Sequence, residues 1–306
     1  MITRENIVAI DADALASQIK VVYQGGVSIQ GDLFLSRAHY GDGVFETMRS
    51  YHGRLSFMEM HLQRLARGLG VVGLRAINVE KIRLESEHIA SLHPNAVIKL
   101  IAISAAPGGS YLRQHNGVEH AFVISSLPPS DRLEHPDGIM VRVCKTRLAQ
   151  HSPLSGIKHL NRGEQILAAN EPNLLAAQEG LMLDSLERVT CAISGNIFAV
   201  LDGQLCTPII DGAGIEGVMR ACIIQICSEI GLALTVRTLH MVDIFRASEL
   251  FLCNAVRAVR PVARLIDTDG VELILTKQRP ITQRIIAELN RIHFAYEQNQ
   301  KDANGA

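Results

Sequence analysis

The 306-residue chain balances 30 Lys and Arg against 31 Asp and Glu, for a formal net charge of -1, and is 47% hydrophobic and 20% charged. Such a chain buries a sizeable core and has room for two domains, and its composition excludes a disordered polymer. The charge balance gives no support to a nucleic-acid partner, and no apolar run reaches the roughly 18 residues of a membrane-spanning helix.

Taken in chain order, residues 1–20 read as an extension, helical between Ala12 and Ile19. Val21-Val22-Tyr23 and Leu33-Phe34-Leu35, with Gly25-Gly26 and Gly31-Asp32 between them, predict an opening hairpin. Val44 to Arg49 is a short strand ended by a turn at Gly53. Phe57 to Leu69 places Met58, Leu62, Leu65 and Leu69 at helical spacing. A second helix runs from Val79 to Leu92 and stops at Pro94. Val97–Ala105 and Ala121–Ser125 are strands. Ser126-Leu127-Pro128-Pro129-Ser130 is the best linker, followed by a polar run through Pro136. It separates a small α/β domain, 21–127, from a larger one, 128–306. In the second domain, strands are expected near Met140–Cys144, Gly180–Leu183, Asn196–Val200 and Leu250–Cys253. Helices are expected over Leu160–Asn170, Gly217–Ile230 and Pro280–Arg291. Pro280 suits a first helical turn because its missing N–H needs no partner there. Strands interleaved with helices make this a mixed α/β chain of two domains, with the cleft between them as the default site.

The six cysteines, Cys144, Cys191, Cys206, Cys222, Cys227 and Cys253, form no CxxC pair, and the start, Met1-Ile2-Thr3-Arg4-Glu5-Asn6, is not an export signal. Reduced thiols in the cytoplasm are the default reading. The twelve histidines show no ligand spacing, so no metal is expected.

Four stretches carry candidate chemistry. Ser155-Gly156-Ile157-Lys158-His159-Leu160-Asn161-Arg162 places a lysine between an apolar run and a helix. Asp211-Gly212-Ala213-Gly214-Ile215-Glu216-Gly217-Val218 is a glycine-rich turn feeding a helix, whose first N–H groups can face an anion. His61-Leu62-Gln63-Arg64-Leu65 carries an arginine able to grip two phosphate oxygens. Tyr40-Gly41-Asp42-Gly43-Val44-Phe45-Glu46-Thr47 is a tight turn entering a core strand. Each is ordinary in isolation: a surface lysine, a common αβ turn, a solvated helix face.

Together these runs resemble the branched-chain aminotransferase-like superfamily, the fold-type-IV enzymes that use pyridoxal 5'-phosphate (PLP). Within it the Gly156-to-Arg162 run, continued by Glu164-Gln165-Ile166-Leu167-Ala168, is most similar to the 4-amino-4-deoxychorismate lyases. The resemblance implies that Lys158 binds PLP covalently and moves the substrate proton. It implies that Arg64, Gly217, Val218 and Asn254 hold the phosphate, and that Asn161 approaches the cofactor ring. It implies a homodimer acting on a small, amino-acid-like substrate, releasing pyruvate and 4-aminobenzoate for folate synthesis. A D-amino-acid or branched-chain aminotransferase is the alternative, and a degenerate PLP-binding protein a third reading.

Three departures from that pattern stand out. Val189-Thr190-Cys191 places Cys191 where the family has a glutamate facing the pyridine nitrogen. A neutral thiol supports a protonated ring nitrogen less well than a carboxylate does. The turn Asp184-Ser185-Leu186-Glu187-Arg188 lacks the usual glycine, and Glu187 is a candidate to reach inward instead. Ala105 and Ser110 stand where the lyases have arginines on the substrate side, with Arg113 a candidate to compensate and Arg37 and Arg49 candidates for carboxylate contacts.

Overall fold

The computed structural model describes residues 21–24, 27–28, 37–106, 110–126, 137–150, 153–174 and 177–303. The expected extension 1–20, the Leu33–Leu35 strand and the linker from Leu127 to Pro136 lie outside them. The chain divides into Met1–Asp131 with Ile157–Arg162, and Arg132–Gly156 with Gly163–Ala306. The expected boundary after residue 127 lies outside the described residues, and the second unit is interrupted by residues 157–162. Residues 157–162 belong with the first unit because their backbone bonds to a first-unit strand.

In that first unit, strands β1 (Val21–Gln24), β2 (Val27–Ser28), β3 (Gly43–Tyr51), β4 (Arg54–Leu55), β5 (Asn95–Ser104) and β6 (Val118–Ser126) form one sheet. Their order is β2-β1-β6-β5-β3-β4. Along β3 the pattern alternates: Val44, Glu46, Met48 and Ser50 are buried, while Phe45, Thr47 and Arg49 are half-buried. Helices α1 (Met58–Val71) and α2 (Val79–Leu92) pack on the buried face. Val44, Met48, Leu62, Leu65, Leu69, Ile82, Ile98 and Leu100 form the core there. The Asn78 side chain caps α2 by accepting from the Lys81 amide at 3.0 Å.

The second unit holds β7 (Ile139–Leu148), α3 (Gly163–Ala169), β8 (Glu179–Asp184), β9 (Val189–Ala192), β10 (Asn196–Leu201) and β11 (Gln204–Pro208). It continues with α4 (Val218–Glu229), β12 (Leu234–Arg237), α5 (Met241–Phe245), β13 (Glu249–Asn254), β14 (Ala258–Ile266), β15 (Glu272–Ile274) and α6 (Pro280–Ala303). The strands form one sheet in the order β12-β11-β10-β13-β14-β7-β8-β9, with β15 paired to β14. Its β14 strand is hard to see in sequence because Arg260, Pro261 and Arg264 break the apolar pattern. Arg260 is nonetheless 2% exposed, held by Glu179 at 2.6 Å. A buried cation is tolerated there because it is paired.

The helix expected over Leu160–Asn170 begins only at Gly163. The backbone before it is occupied otherwise. Phe45 N–H donates to Lys158 O at 2.9 Å and Leu160 N–H donates to Gly43 O at 3.0 Å. β4 pairs β3 only at Ser50 and Tyr51, so residues 158–160 take the edge that it leaves at Gly43–Phe45.

Candidate active site

The lysine of the first unit is fixed by that edge pairing. Its Nζ lies 4.3 Å from the centroid of the Phe45 ring. Burial, then the positive charge of Arg64, bring the Lys158 amine down to about 7, with Arg162 and Lys99 adding to the shift and Glu46 opposing it. An amine so poised is part neutral near pH 7 and can act as a nucleophile or a base. The turn before β3 is fastened by Asn161, whose amide donates to Gly41 O at 3.2 Å. Gly41 has φ 67°, and a Cβ there would sit 2.1 Å from Asn161 Oδ1, so glycine is required. Asn161 thus precedes the helix and sits on the loop that closes the Gly41 turn.

Two residues not singled out from the sequence organise the helix side. Glu46 points from the buried face of β3 and is 1% exposed. Arg64 Nε and Nη2 donate to its two oxygens at 2.8 and 2.5 Å. His61 Nδ1 lies 2.7 Å from Glu46 Oε2. His61 and Arg64 are three residues apart on α1 and so share a face. Burial of Glu46 pushes its carboxyl up, but the donations from Arg64 and His61 win and hold it at about 2. An ionised carboxylate only accepts, so the His61 proton sits on Nδ1. Burial lowers the histidine's own pKa, keeping it neutral, and its Nε2 is buried without a hydrogen-bond partner. The sequence clue was present: Glu46 lies in the Gly-Asp-Gly-Val-Phe-Glu run. Nothing in a linear reading says that it faces α1.

His159 is similarly neutral. Burial and the Arg162 charge lower it to about 4, and Arg162 Nη2 donates to its Nε2.

The arginines considered for carboxylate contacts are committed elsewhere. Arg37, 3% exposed, donates from Nε to Asp42 at 2.7 Å and from its terminal nitrogens to the Ser110 and Tyr111 carbonyls. Arg113 donates to Asp42 at 2.9 Å and to Val72 O at 2.8 Å. It ties a loop to the Asp42 turn and does not compensate for Ala105 or Ser110. Arg49 lies over the Tyr51 ring.

In the second unit, Gly217 caps α4 at φ -69° and ψ 142°. Among the described residues, no backbone acceptor takes the Gly217 or Val218 amide. These two donors stand at the start of a twelve-residue helix, where N–H groups can face an anion. A Cβ on Gly217 would fall 2.1 Å from Asn196 Oδ1, and the Asn196 amide braces the turn by donating to Ile215 O at 2.9 Å. Gly156 pairs with the same turn, its N–H donating to Gly214 O at 3.0 Å and its O accepting from Glu216 N–H at 3.1 Å.

Asn254 fastens its own turn. Its Oδ1 accepts from Val256 and Arg257 N–H at 3.0 and 2.7 Å, and its Nδ2 donates to Ser194 O at 3.1 Å. Cys191 lies in β9, 6% exposed, in an apolar cluster with Cys144, Met182 and Ala213. It also neighbours the glycine-rich turn, 3.9 Å from where a Gly214 Cβ would stand. Glu187 does not reach inward: it is 62% exposed and bound to Arg147 Nε at 2.7 Å. It occupies the left-handed position of its turn, φ 57°, where a glycine would be unstrained.

Comparison with known proteins fits this geometry. The amino-transferase class IV family matches residues 43–265. The chain belongs to that family. It is a PLP-dependent enzyme of fold type IV. It is similar to the 4-amino-4-deoxychorismate lyase of Pseudomonas aeruginosa, whose crystal structure superposes with a TM-score of 0.76 at 30% identity, covering 87% of this chain and 97% of that one. It is 29% identical to the aminodeoxychorismate lyase of Vibrio harveyi, over 82% of this chain and 92% of that protein. It is also 28% identical to a putative branched-chain-amino-acid aminotransferase of Methanocaldococcus jannaschii, over 73% of this chain and 78% of that protein. Among the described residues, no helix is long and apolar enough to cross a membrane, and no cluster of His, Cys, Asp or Glu is arranged to hold a metal.

Proposed function

We propose that the chain is a lyase that converts 4-amino-4-deoxychorismate to 4-aminobenzoate and pyruvate. The observation that carries it is Lys158: an amine lowered to about 7, pinned on β3 by a Gly-Ile-Lys-His-Leu-Asn-Arg run like that of the lyases. The similarity to two lyases over more than four-fifths of the chain supports the same reading.

The residues present fit PLP. Lys158 would bind its aldehyde carbon. The Gly217 and Val218 amides, with Arg64 and the second N–H of Asn254, would hold its phosphate. Lys158 follows Gly156 by two residues in the chain, and Gly156 is bonded to the glycine-rich turn. Cys191 would lie by the ring nitrogen, and Asn161 serves by fastening the Gly41 turn. When bound, PLP supplies an electron sink for the carbon that bears the substrate amine. Lys158 would take the proton from this carbon, and pyruvate would leave as the ring becomes aromatic. Formation of an aromatic ring supplies driving force, so a thiol in the place of the glutamate is tolerated better here than in a transaminase.

The second reading, an aminotransferase, is favoured by Ala105 and Ser110 in place of arginines. A homodimer in the cytoplasm completes the proposal, supported by the exposed Ile166 and Leu167 on α3 and by six free cysteines. The test is to offer the purified enzyme 4-amino-4-deoxychorismate, then amino donors with keto acids, and identify the products. Pyruvate and 4-aminobenzoate are expected; an amino-group exchange with no pyruvate release would overturn the lyase reading.

A further inference from the structure

Arg220 has no role in the site as described, yet it stands in the first turn of the helix whose opening amides can face an anion. It is the third residue of α4, after Val218 and Met219, and is 8% exposed. Its guanidinium donates from Nη2 to Pro208 O at 3.0 Å and from Nε to Thr207 Oγ1 at 3.4 Å. Thr207 in turn donates to Ile197 O at 2.9 Å. Both acceptors of Arg220 are neutral, and among the described residues no carboxylate forms an ion pair with it. Arg37 and Arg260, which are also buried, have carboxylates at 2.7 and 2.6 Å. The Glu216 carboxyl, ahead of the helix, stands by Gly156 and opposes the effect of burial on Arg220 only from a distance.

Two ordinary rules are broken at this point. A buried cation is costly unless an opposite charge lies beside it. The first turn of a helix, where the macrodipole is positive, favours acids over cations, and α4 has no acid there. Burial accordingly pushes the pKa of the guanidinium down from its ordinary value. Fastening α4 to β11 does not call for a charge, since a neutral donor would serve both acceptors without either cost. An anion in front of Gly217 and Val218 removes both costs at once. It takes the two amides that no backbone acceptor uses, and it supplies the negative charge that Arg220 lacks. The stem of Arg220 packs against this helix start: a Cβ on Gly217 would stand 3.7 Å from Arg220 Cβ.

We propose that Arg220 is a positioning residue for the cofactor phosphate: it sets a fixed positive charge behind the helix start at Gly217 and so favours the phosphate as a dianion, without touching it. The inference rests on the placement of the PLP phosphate at this helix start and holds for a lyase and an aminotransferase alike. The bonds to Thr207 and Pro208 fix where the charge sits. A phosphate monoester takes its second proton at a pH of about 6 in water. A cation held nearby lowers that value, so the dianion persists to lower pH.

The experiment is absorbance titration of the apo protein with PLP and with pyridoxal, which lacks the phosphate. The ratio of the two Kd values isolates the phosphate. Wild type is compared with Arg220→Gln, Arg220→Met, Arg220→Lys and Gly217→Ala. Gln and Met both remove the charge, so each covers a failure of the other to fold, whereas Lys keeps the charge and gives up the forked geometry. The preference for PLP over pyridoxal should fall about tenfold in Gln and Met, the scale for unit charges about 10 Å apart at an effective dielectric of about 20. Lys should keep it. Phosphorus NMR of the loaded proteins supplies a second readout. The bound phosphate should take its proton at a higher pH in Gln and Met than in wild type or Lys, a shift that losing a purely structural clamp would not produce. An unchanged preference in both uncharged variants would overturn the Arg220 assignment and leave the phosphate site standing. Equal loss in Lys, Gln and Met would also overturn it, because the fork rather than the charge would then matter. An unchanged preference in Gly217→Ala would remove the phosphate from this helix and overturn both.

Discussion

Replacing Arg64 with alanine tests the buried triad of Glu46, His61 and Arg64 independently of any reaction. In a solvated setting this change would affect phosphate binding alone. Here it also removes the principal partner of a carboxylate that is 1% exposed. Breaking a buried pair by deleting one member costs roughly 3–5 kcal/mol, because the other charge is left buried. The titration of Glu46 gives a second route to the figure. A carboxyl held at about 2 instead of its ordinary 4.5 corresponds to roughly 3 kcal/mol. The folded-state value is depressed, so this stability is present above pH 4.5 and is lost as pH falls through 4.5 toward 2. Without Arg64 the carboxyl rises and the contribution disappears. Urea unfolding of the apo protein at pH 7 should therefore show Arg64→Ala destabilised by about 3 kcal/mol. The difference from wild type should shrink on acidification below 4.5. Arg64→Ala with Glu46→Gln should recover part of the loss. A loss under about 0.5 kcal/mol at pH 7, the ordinary range for a surface substitution, or one that does not change with pH, would refute the buried-pair argument.

The remaining predictions concern the rest of the site. Borohydride reduction of the loaded enzyme followed by peptide mass analysis should place a phosphopyridoxyl group on Lys158, and labelling elsewhere would sink that assignment. The rate at which apo protein takes up PLP should rise with pH through about 7, where the Lys158 amine loses its proton; a midpoint near the ordinary lysine value of 10.5 would show that the amine is not desolvated. Gly217→Ala drives a Cβ to 2.1 Å from Asn196 Oδ1 and should raise the PLP Kd at least tenfold, about 1.4 kcal/mol; unchanged affinity would exclude this helix start from the phosphate site. Glu187→Gln should leave PLP absorbance unchanged because Glu187 is engaged with Arg147 on the surface, whereas Cys191→Glu should shift it; the reverse pattern would overturn the placement of Cys191.

Much of this site was legible because chemistry constrains short runs strongly. The Gly156–Arg162 run, the glycine-rich helix start and Arg64 are each visible as residues in the sequence alone. What could not be read was which face each residue presents. Glu46 alternates with Phe45 along β3, and only the packing of α1 decides that the glutamate is inside and the phenylalanine is not. The helix expected from Leu160 was delayed to Gly163 because backbone groups at 158–160 complete the edge of β3, a long-range pairing with no local signal. Arg113 looked available since its partner, Asp42, is distant in sequence. Glu187 looked like a substitute acid because a missing glycine suggests a shifted turn. The turn is instead kept, with Glu187 accepting the left-handed conformation and pointing out.

These cases share a cause that bears on the function. The two faces of β3 do different work beside Lys158. Glu46 on the inner face pairs with the Arg64 guanidinium and so limits how much positive charge reaches the lysine. Phe45 on the other face offers no counter-charge, and there Lys99 adds to the field. Burial does most to bring the amine down to about 7, Arg64 adds to it next, and Glu46 opposes both.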